Sequence, residues 1–320
     1  MKAIRVREFG ESNVMKIEEA PDLVAGANQV VVQIKAAGVN PVDTYIRSGA
    51  YPSKPGLPYT PGMDAAGIVA SLGGGVSRFK VGDRVYVAGS LSGTYAEQAL
   101  CDQSQVHPLA DGVTFEQGAG VYVPYATAYR ALWMLARMRP GETLLIHGAS
   151  GGVGVAAIQI AKAAGVRVIG SAGTEQGKQL VAEQGADHVV DHNQTGYLDE
   201  VLSLTNGAGP NIILEMLSNV NLQKDLEVLA MRGRIVIIGC RGEIKINPRL
   251  IMGKEAQING MVLMLSSDNE LSVIHSALVA GLENGTLRPV VGKTFALADA
   301  AQAHEAVMAP GAYGKIALLT

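Results

Sequence analysis

Cysteine is almost absent from this 320-residue chain, with Cys101 and Cys240 the only two. Two thiols cannot form a disulfide framework, and these two share no metal-ligand spacing with each other. Each is expected to be a small apolar residue buried in a core. An excess of one charge is also lacking. The formal net charge is −3, and no run of like charge occurs. The chain therefore offers no electrostatic footprint for nucleic acid or anionic lipid, and a small neutral or anionic substrate fits better. No apolar stretch reaches the roughly 18 to 20 residues needed to cross a bilayer. The beginning, Met1-Lys2-Ala3-Ile4-Arg5-Val6-Arg7, alternates apolar and basic residues like a strand and lacks the apolar block of a signal peptide. A soluble cytoplasmic protein is expected, with neither membrane nor nucleic acid as partner.

Zinc ligands at standard spacing are missing as well. Of six histidines, none has a His or Cys partner at a usual interval. His188 and His192 lie four apart but flank a strand, so they share no helix face. His107, His147, His275 and His304 read as scaffold or surface residues. No metal is expected. Without one to polarise a carbonyl, hydrogen-bond donors and a cofactor must carry the chemistry.

What is present is a globular composition, 48% hydrophobic and 17% charged, on a chain longer than one hydrophobic core usually organises. The first ~120 residues read as short strands punctuated by Gly and Pro: Gln29 to Ala37, Ala66 to Leu72, Asp83 to Ala88 and Thr94 to Leu100. A short helix over Val42 to Arg47 interrupts them, and a helix-like stretch from Tyr125 to Arg137 follows. From Glu142 apolar strands alternate with helices, the pattern of a doubly wound parallel sheet. Six strands are predicted: Thr143 to His147, Val166 to Ser171, His188 to Asp191, Asn211 to Met216, Arg234 to Gly239 and Gln257 to Met264. Helices are predicted over Val155 to Ala164, Lys178 to Gln184, Tyr197 to Leu204 and Leu222 to Ala230. After Leu265 come a helix (Asn269 to Asn284), a strand (Val290 to Phe295), a helix (Asp299 to Met308) and a last strand (Gly314 to Thr320). The simplest topology returns this tail to the first domain. The expected domains are therefore 1–122 with 266–320, and 123–265 inserted between them.

The inserted domain opens on Thr143-Leu144-Leu145-Ile146-His147-Gly148-Ala149-Ser150-Gly151-Gly152-Val153-Gly154, a strand, a Gly-rich turn and a helix start. Gly151 and Gly152 would let the backbone approach a pyrophosphate at the helix N-terminus, and Gly154 would let the helix pack close to the strand. Ala149 stands where GxGxxG has its first Gly. An acid that would hold the ribose hydroxyls of NAD is missing at the end of the second strand, which reads Gly170-Ser171-Ala172-Gly173-Thr174. Small residues leave room for a 2′-phosphate, and Lys178 could neutralise it, so NADPH is favoured. Two alternatives stay open: Lys178 as a solvated helix residue, and Glu175 reaching the ribose of NADH. In the first domain Asn40, Thr44, Tyr45 and Arg47 offer donors, and Asn40 and Tyr45 could face a nicotinamide. Their bland reading is Tyr45 half-buried and Asn40 a helix cap.

Together these stretches resemble the zinc-free quinone oxidoreductases of the medium-chain dehydrogenase/reductase superfamily, most closely the zeta-crystallins. The resemblance runs nearly end to end, through Gly38 to Gly49, Pro58-Tyr59-Thr60-Pro61-Gly62, His147 to Gly154, Asn219-Val220-Asn221-Leu222 and Ile246-Asn247-Pro248-Arg249. It implies an α/β fold, a GroES-like β-rich catalytic domain plus a Rossmann doubly wound six-stranded parallel sheet. In zinc-dependent members the positions resembling Asn40 and Met63 are a Cys and a His on catalytic zinc, and neither is present. The resemblance implies Tyr45 beside the nicotinamide and Ser150, Gly151, Gly152 and Val153 around the pyrophosphate. It further implies Gly173, Lys178 and His192 around the adenosine phosphate and ribose, with Asn221 near the adenine. Ile238, Gly239, Cys240, Arg241, Met261, Val262 and Leu263 would line the nicotinamide half. The implied activity is NADPH-dependent reduction of a quinone, in one- or two-electron steps, with Tyr45 and Asn40 on the carbonyl oxygen. Reduction of enones or alkenals is the enzymatic alternative, and a structural or RNA-binding role the non-enzymatic one. Relatives imply a homo-oligomer, dimer or tetramer, and the apolar strand Gln257 to Met264 at the end of the sheet could pair with a second copy.

Overall fold

In the computed structural model, which describes residues 1–320, β-branched runs become strands and Gly–Pro punctuation becomes turns. Contacts divide the chain into two units. The first comprises Met1–Val123, His275–Pro310 and Gly314–Thr320, and the second Pro124–Ile274 with Gly311–Tyr313. The sequence reading put the second junction at 265; the contacts put it at Ile274, inside a helix.

The first unit is built on β1 (Lys2–Val6), β2 (Met15–Glu19), β3 (Gln29–Val39), β4 (Asp64–Leu72), β5 (Arg84–Ala88), β6 (Gln98–Asp102) and β7 (Val106–Pro108). The long β3, Gln-Val-Val-Val-Gln-Ile-Lys-Ala-Ala-Gly-Val, pairs with β4, β6 and the last strand of the chain, and so organises the sheet. Helix α1 (Pro41–Ser48) leaves β3 directly. Pro41 starts it, since proline has no N–H to lose there, and Gly49 ends it in the left-handed region at φ 78°. Ile4, Val32, Ile34, Val85, Tyr95 and Leu318 are among the residues that close the core at 0–1% exposure.

The second unit alternates β8 (Thr143–Ile146), α2 (Gly152–Ala163), β9 (Arg167–Ser171), α3 (Glu175–Glu183), β10 (His188–Val190), α4 (Tyr197–Leu204), β11 (Ile212–Glu215), α5 (Ser218–Val228), β12 (Arg234–Ile237), α6 (Pro248–Lys254) and β13 (Gln257–Gly260). Its six strands are all parallel, in the order β10-β9-β8-β11-β12-β13. The inner strands read as unbroken apolar runs because helices cover both faces of the sheet. Leu145, Ile169, Ile213 and Ile235 are fully buried between them. The order reverses direction at β8, so a crevice opens at the carboxyl ends of β8 and β11. Helix α7 (Asp268–Glu283), β14 (Val291–Ala296), α8 (Ala300–Met308) and β15 (Lys315–Leu319) complete the chain, β15 pairing with β3 in the first unit.

Several local expectations are corrected. The strand predicted from Thr94 starts at Gln98, because the Thr94 and Tyr95 amides both turn back to the Pro61 carbonyl. The strand predicted to run to Met264 stops at Gly260 and gives way to a tight turn over Leu263–Leu265. Helix α6 was not foreseen, although Asn247-Pro248 announces it: the Asn247 side chain accepts from the Arg249 N–H and Pro248 opens the helix. The segment predicted as one helix from Tyr125 starts at Tyr122 and is wound wider over Tyr122–Ala126 and Arg130–Leu135. Of the two cysteines expected inside, Cys101 is buried and Cys240 is exposed. His107, His147, His275 and His304 are all scaffold and none is surface, at 7%, 3%, 5% and 1% exposure. Burial holds each of their imidazoles below the usual histidine range.

Candidate active site

The glycine-rich turn follows β8 directly. Gly148 takes φ +58°, and Gly151 is the extended residue before α2. No side chain caps this helix. The N–H groups of Gly152, Val153 and Gly154 therefore face out of the first turn, where the helix dipole is positive. Gly154 makes the close approach: a Cβ there would lie 2.5 Å from the Ala149 Cα and carbonyl oxygen. Ser150 donates its hydroxyl to the Ala312 carbonyl at 2.7 Å, which ties the turn down.

Next to it, beyond β9 and β10, the structure groups Gly173, Lys178 and His192. A Cβ on Gly173 would lie 2.5 Å from His192 Nε2, and Asn193 donates to the Gly173 carbonyl at 2.8 Å. Thr174 caps α3 by accepting from the Gly177 N–H. Lys178 is not a bare cation. Its Nζ lies 2.6 Å from Glu175 and 3.2 Å from Asp191, and hydrogen bonds to Glu175 and then Asp191 raise its pKa. The sequence reading weighed Glu175 but missed Asp191, which lies at the end of the third strand of the sheet rather than the second. Desolvation lowers the His192 pKa, which favours the neutral ring.

Across the switch point, Glu215 at the end of β11 binds the turn that follows. Its Oε1 accepts from the Leu217 N–H at 2.5 Å and from Asn221 Nδ2 at 3.3 Å, while its backbone oxygen accepts from the Ile238 N–H. Arg241 N–H donates to Asn219 at 2.9 Å. This brings Asn221 and Ile238 to Arg241 to one place, and Met261 to Leu263 follow β13 on the same edge. The exposed Cys240 thiol is held below its usual range, chiefly by a hydrogen bond with Ser218. Behind this edge His147, Glu215 and Asp225 form a wholly buried cluster whose ligand atoms lie within 4.8 Å of one another. His147 Nε2 is 2.8 Å from Asp225, and burial drives both carboxyls up and the imidazole down.

In the first unit the donors at the start of α1 and within it separate into two kinds. Tyr45 is half-buried, and no protein group hydrogen-bonds its hydroxyl. Asn40, at 3% exposure, is buried, with polar partners on both side-chain atoms. Its Nδ2 donates to Asp64 at 3.0 Å, and its Oδ1 accepts from Lys315 at 2.5 Å. Lys315 also pairs with Asp64 at 2.7 Å, and Asp64 accepts from the Val123 N–H at 2.9 Å. Asp43 accepts from the Asn40 N–H and from the Tyr95 hydroxyl, and its burial pushes the carboxyl up to about 7. Sequence spacing had no means of finding Asp64 or Lys315, which lie 24 and 275 positions from Asn40. The residues here do not fit a catalytic zinc. An amide and a thioether, Asn40 and Met63, stand where thiolate and imidazole would be needed, and the Lys315 ammonium already supplies the local positive charge.

Comparison with known proteins places these features. Residues 26–130 match the alcohol dehydrogenase GroES-like domain, and residues 152–277 match the zinc-binding dehydrogenase domain. The class is therefore that of medium-chain dehydrogenases and reductases, a GroES-like unit joined to a Rossmann sheet. Among solved structures, an NAD-dependent alcohol dehydrogenase superposes with a TM-score of 0.93 at 28% identity, covering all of both chains. The Escherichia coli quinone oxidoreductase in complex with NADPH superposes with a TM-score of 0.89 at 29% identity, again covering all of both chains. The quinone oxidoreductase of Rattus norvegicus is 48% identical over 323 residues, covering 100% of this chain and 98% of that one. The chain belongs to the quinone oxidoreductase family.

Proposed function

We propose that the protein reduces quinones at the expense of NADPH, without a metal. The observation that carries this reading is positional. The cofactor candidates of the second unit, drawn from six separate strands, all follow the carboxyl ends of those strands. That is where an open parallel sheet binds a dinucleotide. NADPH supplies the reducing equivalents, so that a quinone, NADPH and a proton give hydroquinone and NADP⁺. The amides of Gly152, Val153 and Gly154 would hold the pyrophosphate, with Gly151 leaving the turn open to it and Ser150 anchoring the turn through its bond to the Ala312 carbonyl. Lys178 and His192 would take the 2′-phosphate side, and Asn221 the adenine. Ile238 to Arg241 and Met261 to Leu263 would line the nicotinamide half. From the first unit, Tyr45 would give its uncommitted hydroxyl to the quinone oxygen and Asn40 a second donor, stabilising charge that forms there.

Steady-state oxidation of NADPH with 1,2-naphthoquinone and, in parallel, with a 2-alkenal tests the reading. Turnover of the quinone at least tenfold faster is the expected outcome, and alkenal preference would overturn it. Tyr45→Phe should lower kcat for the quinone about tenfold, roughly the value of one donor to a developing charge. Its NADPH Kd should stay within about twofold. An unchanged kcat would reduce Tyr45 to packing.

We further propose a cytoplasmic homo-oligomer joined at the open edge of β13, the last strand in the sheet order. In the helix before β13 and the turn after it, Met252 and Leu265 are 77% and 76% exposed. Exposed apolar residues flanking an open edge strand in the chain are an invitation to pair. Light scattering should return a dimer or tetramer, and Leu265→Asp should shift it toward monomer. A monomeric mass for the wild type at micromolar concentration would end the proposal.

A further inference from the structure

Counting donors in the buried cluster of the first unit leaves a remainder. An ammonium has three N–H groups and no acceptor, and an amide has two N–H groups and one carbonyl oxygen. Lys315 spends two of its three, on Asn40 Oδ1 and Asp64 Oδ2. Asn40 spends one of its two, also on Asp64 Oδ2. The other Asp64 oxygen is taken by the Val123 N–H. Because a lysine can only donate, the amide has one allowed orientation, oxygen toward Lys315 and nitrogen toward Asp64. The Asn40 backbone is fixed as well, by its N–H to Asp43 at 2.9 Å. Nothing here is loosely placed: Asn40, Asp64 and Lys315 are 3%, 0% and 4% exposed. Gly38 lets the lysine stem lie flat across β3, since a Cβ there would come within 2.7 Å of Lys315 Cε.

We propose that Lys315 is a positioning residue for reduction: through the Asn40 oxygen it polarises the amide and aims its one remaining N–H at the carbonyl oxygen of the acceptor. A cation on Oδ1 draws electron density from the amide and strengthens its N–H as a donor. It does so where water is excluded, so the field is little screened. The acceptor oxygen becomes negative as electrons arrive, and a fixed donor aimed there favours the transition state over the ground state. Lys315 thus does through an amide what a metal ion does directly in the zinc-dependent branch. The inference rests on the reduction of a carbonyl acceptor proposed above.

Lys315→Met keeps length and removes charge. Because that leaves Asp64 buried without its partner, Lys315→Met/Asp64→Asn, which removes both charges together, is measured beside it. In whichever variant keeps the wild-type melting temperature within a few degrees, kcat for a series of substituted 1,4-benzoquinones should fall about tenfold. KM and NADPH Kd should hold within about twofold, and the dependence of kcat on ring substituents should steepen, because electron-poor quinones need the donor least. Lys315→Arg should recover part of the loss. An unchanged kcat with unchanged substituent dependence, or parallel losses in kcat, NADPH affinity and melting temperature, would overturn the proposal. Absorbance of 4-nitrophenol titrated into the NADP⁺-bound protein separates this from failure of the quinone reading. The wild type should bind the phenolate at least fivefold more tightly than the lysine variants do, even if no quinone is turned over. Equal affinities would sink the inference whatever the acceptor.

Discussion

Gly154→Val should abolish measurable NADPH binding, raising Kd by about 100-fold or more, and should lower the stability of the second unit by about 1–3 kcal/mol. Position 154 is where the first turn of α2 crosses the phosphate turn. The nearest atoms to an added Cβ are the backbone of Ala149 itself, at 2.5 Å from Cα and oxygen and 2.6 Å from the carbonyl carbon. Backbone cannot rotate away as a flexible side chain can. The helix must therefore shift outward, carrying the amides of Gly152, Val153 and Gly154 off the position where a pyrophosphate would meet them. Fluorescence titration with NADPH and a circular-dichroism melt read the two effects. Gly253→Ala supplies the control: that glycine lies in α6 with nothing within 4 Å of its added Cβ, so binding and stability should be unchanged or slightly improved. Wild-type affinity in Gly154→Val would show that the close approach is not what prepares the site.

Lys178→Ala should raise the Kd for NADPH about tenfold and leave that for NADH within about twofold, because only the former has a 2′-phosphate for the ammonium to meet. The structure sharpens this expectation. Two carboxylates already share the ammonium, so a phosphate must compete with Glu175 and Asp191. Glu175 is 91% exposed and free to swing aside, whereas Asp191 is 18% exposed and stays. Glu175→Gln should accordingly tighten NADPH binding by a few fold, with no comparable gain for NADH. Equal losses for both nucleotides in Lys178→Ala would remove the lysine from the phosphate site and return it to the solvated helix face.

The legible part of the candidate site was the part built from short sequence. The glycine-rich turn from His147 to Gly154 is one continuous peptide whose geometry is set by its own glycines, so that geometry could be read before any fold was known. Gly173 and Lys178 lie on a single strand-to-helix junction, and the absence of an acid at the end of the strand itself, before Glu175, was visible too. Asp191 was not, since it reaches Lys178 only because β10 lies beside β9. Cys240 misled for a related reason: cysteine composition favours burial, but this one stands on a loop beyond β12.

On zinc, sequence and structure contribute different things. The sequence by itself determined that no thiolate and imidazole stand at positions 40 and 63, that a glycine-rich turn follows the first strand of the parallel sheet, and that six apolar strands alternate with helices. These are local facts of residue type and period, and folding does not alter them. Only the tertiary structure decided what replaces the missing ligands. It brings Lys315 from the last strand and Asp64 from β4 onto Asn40, across 275 and 24 positions. The pairing of β15 with β3 sets that meeting, and the register of a sheet depends on its whole hydrophobic pattern. No window of sequence around Asn40 contains it.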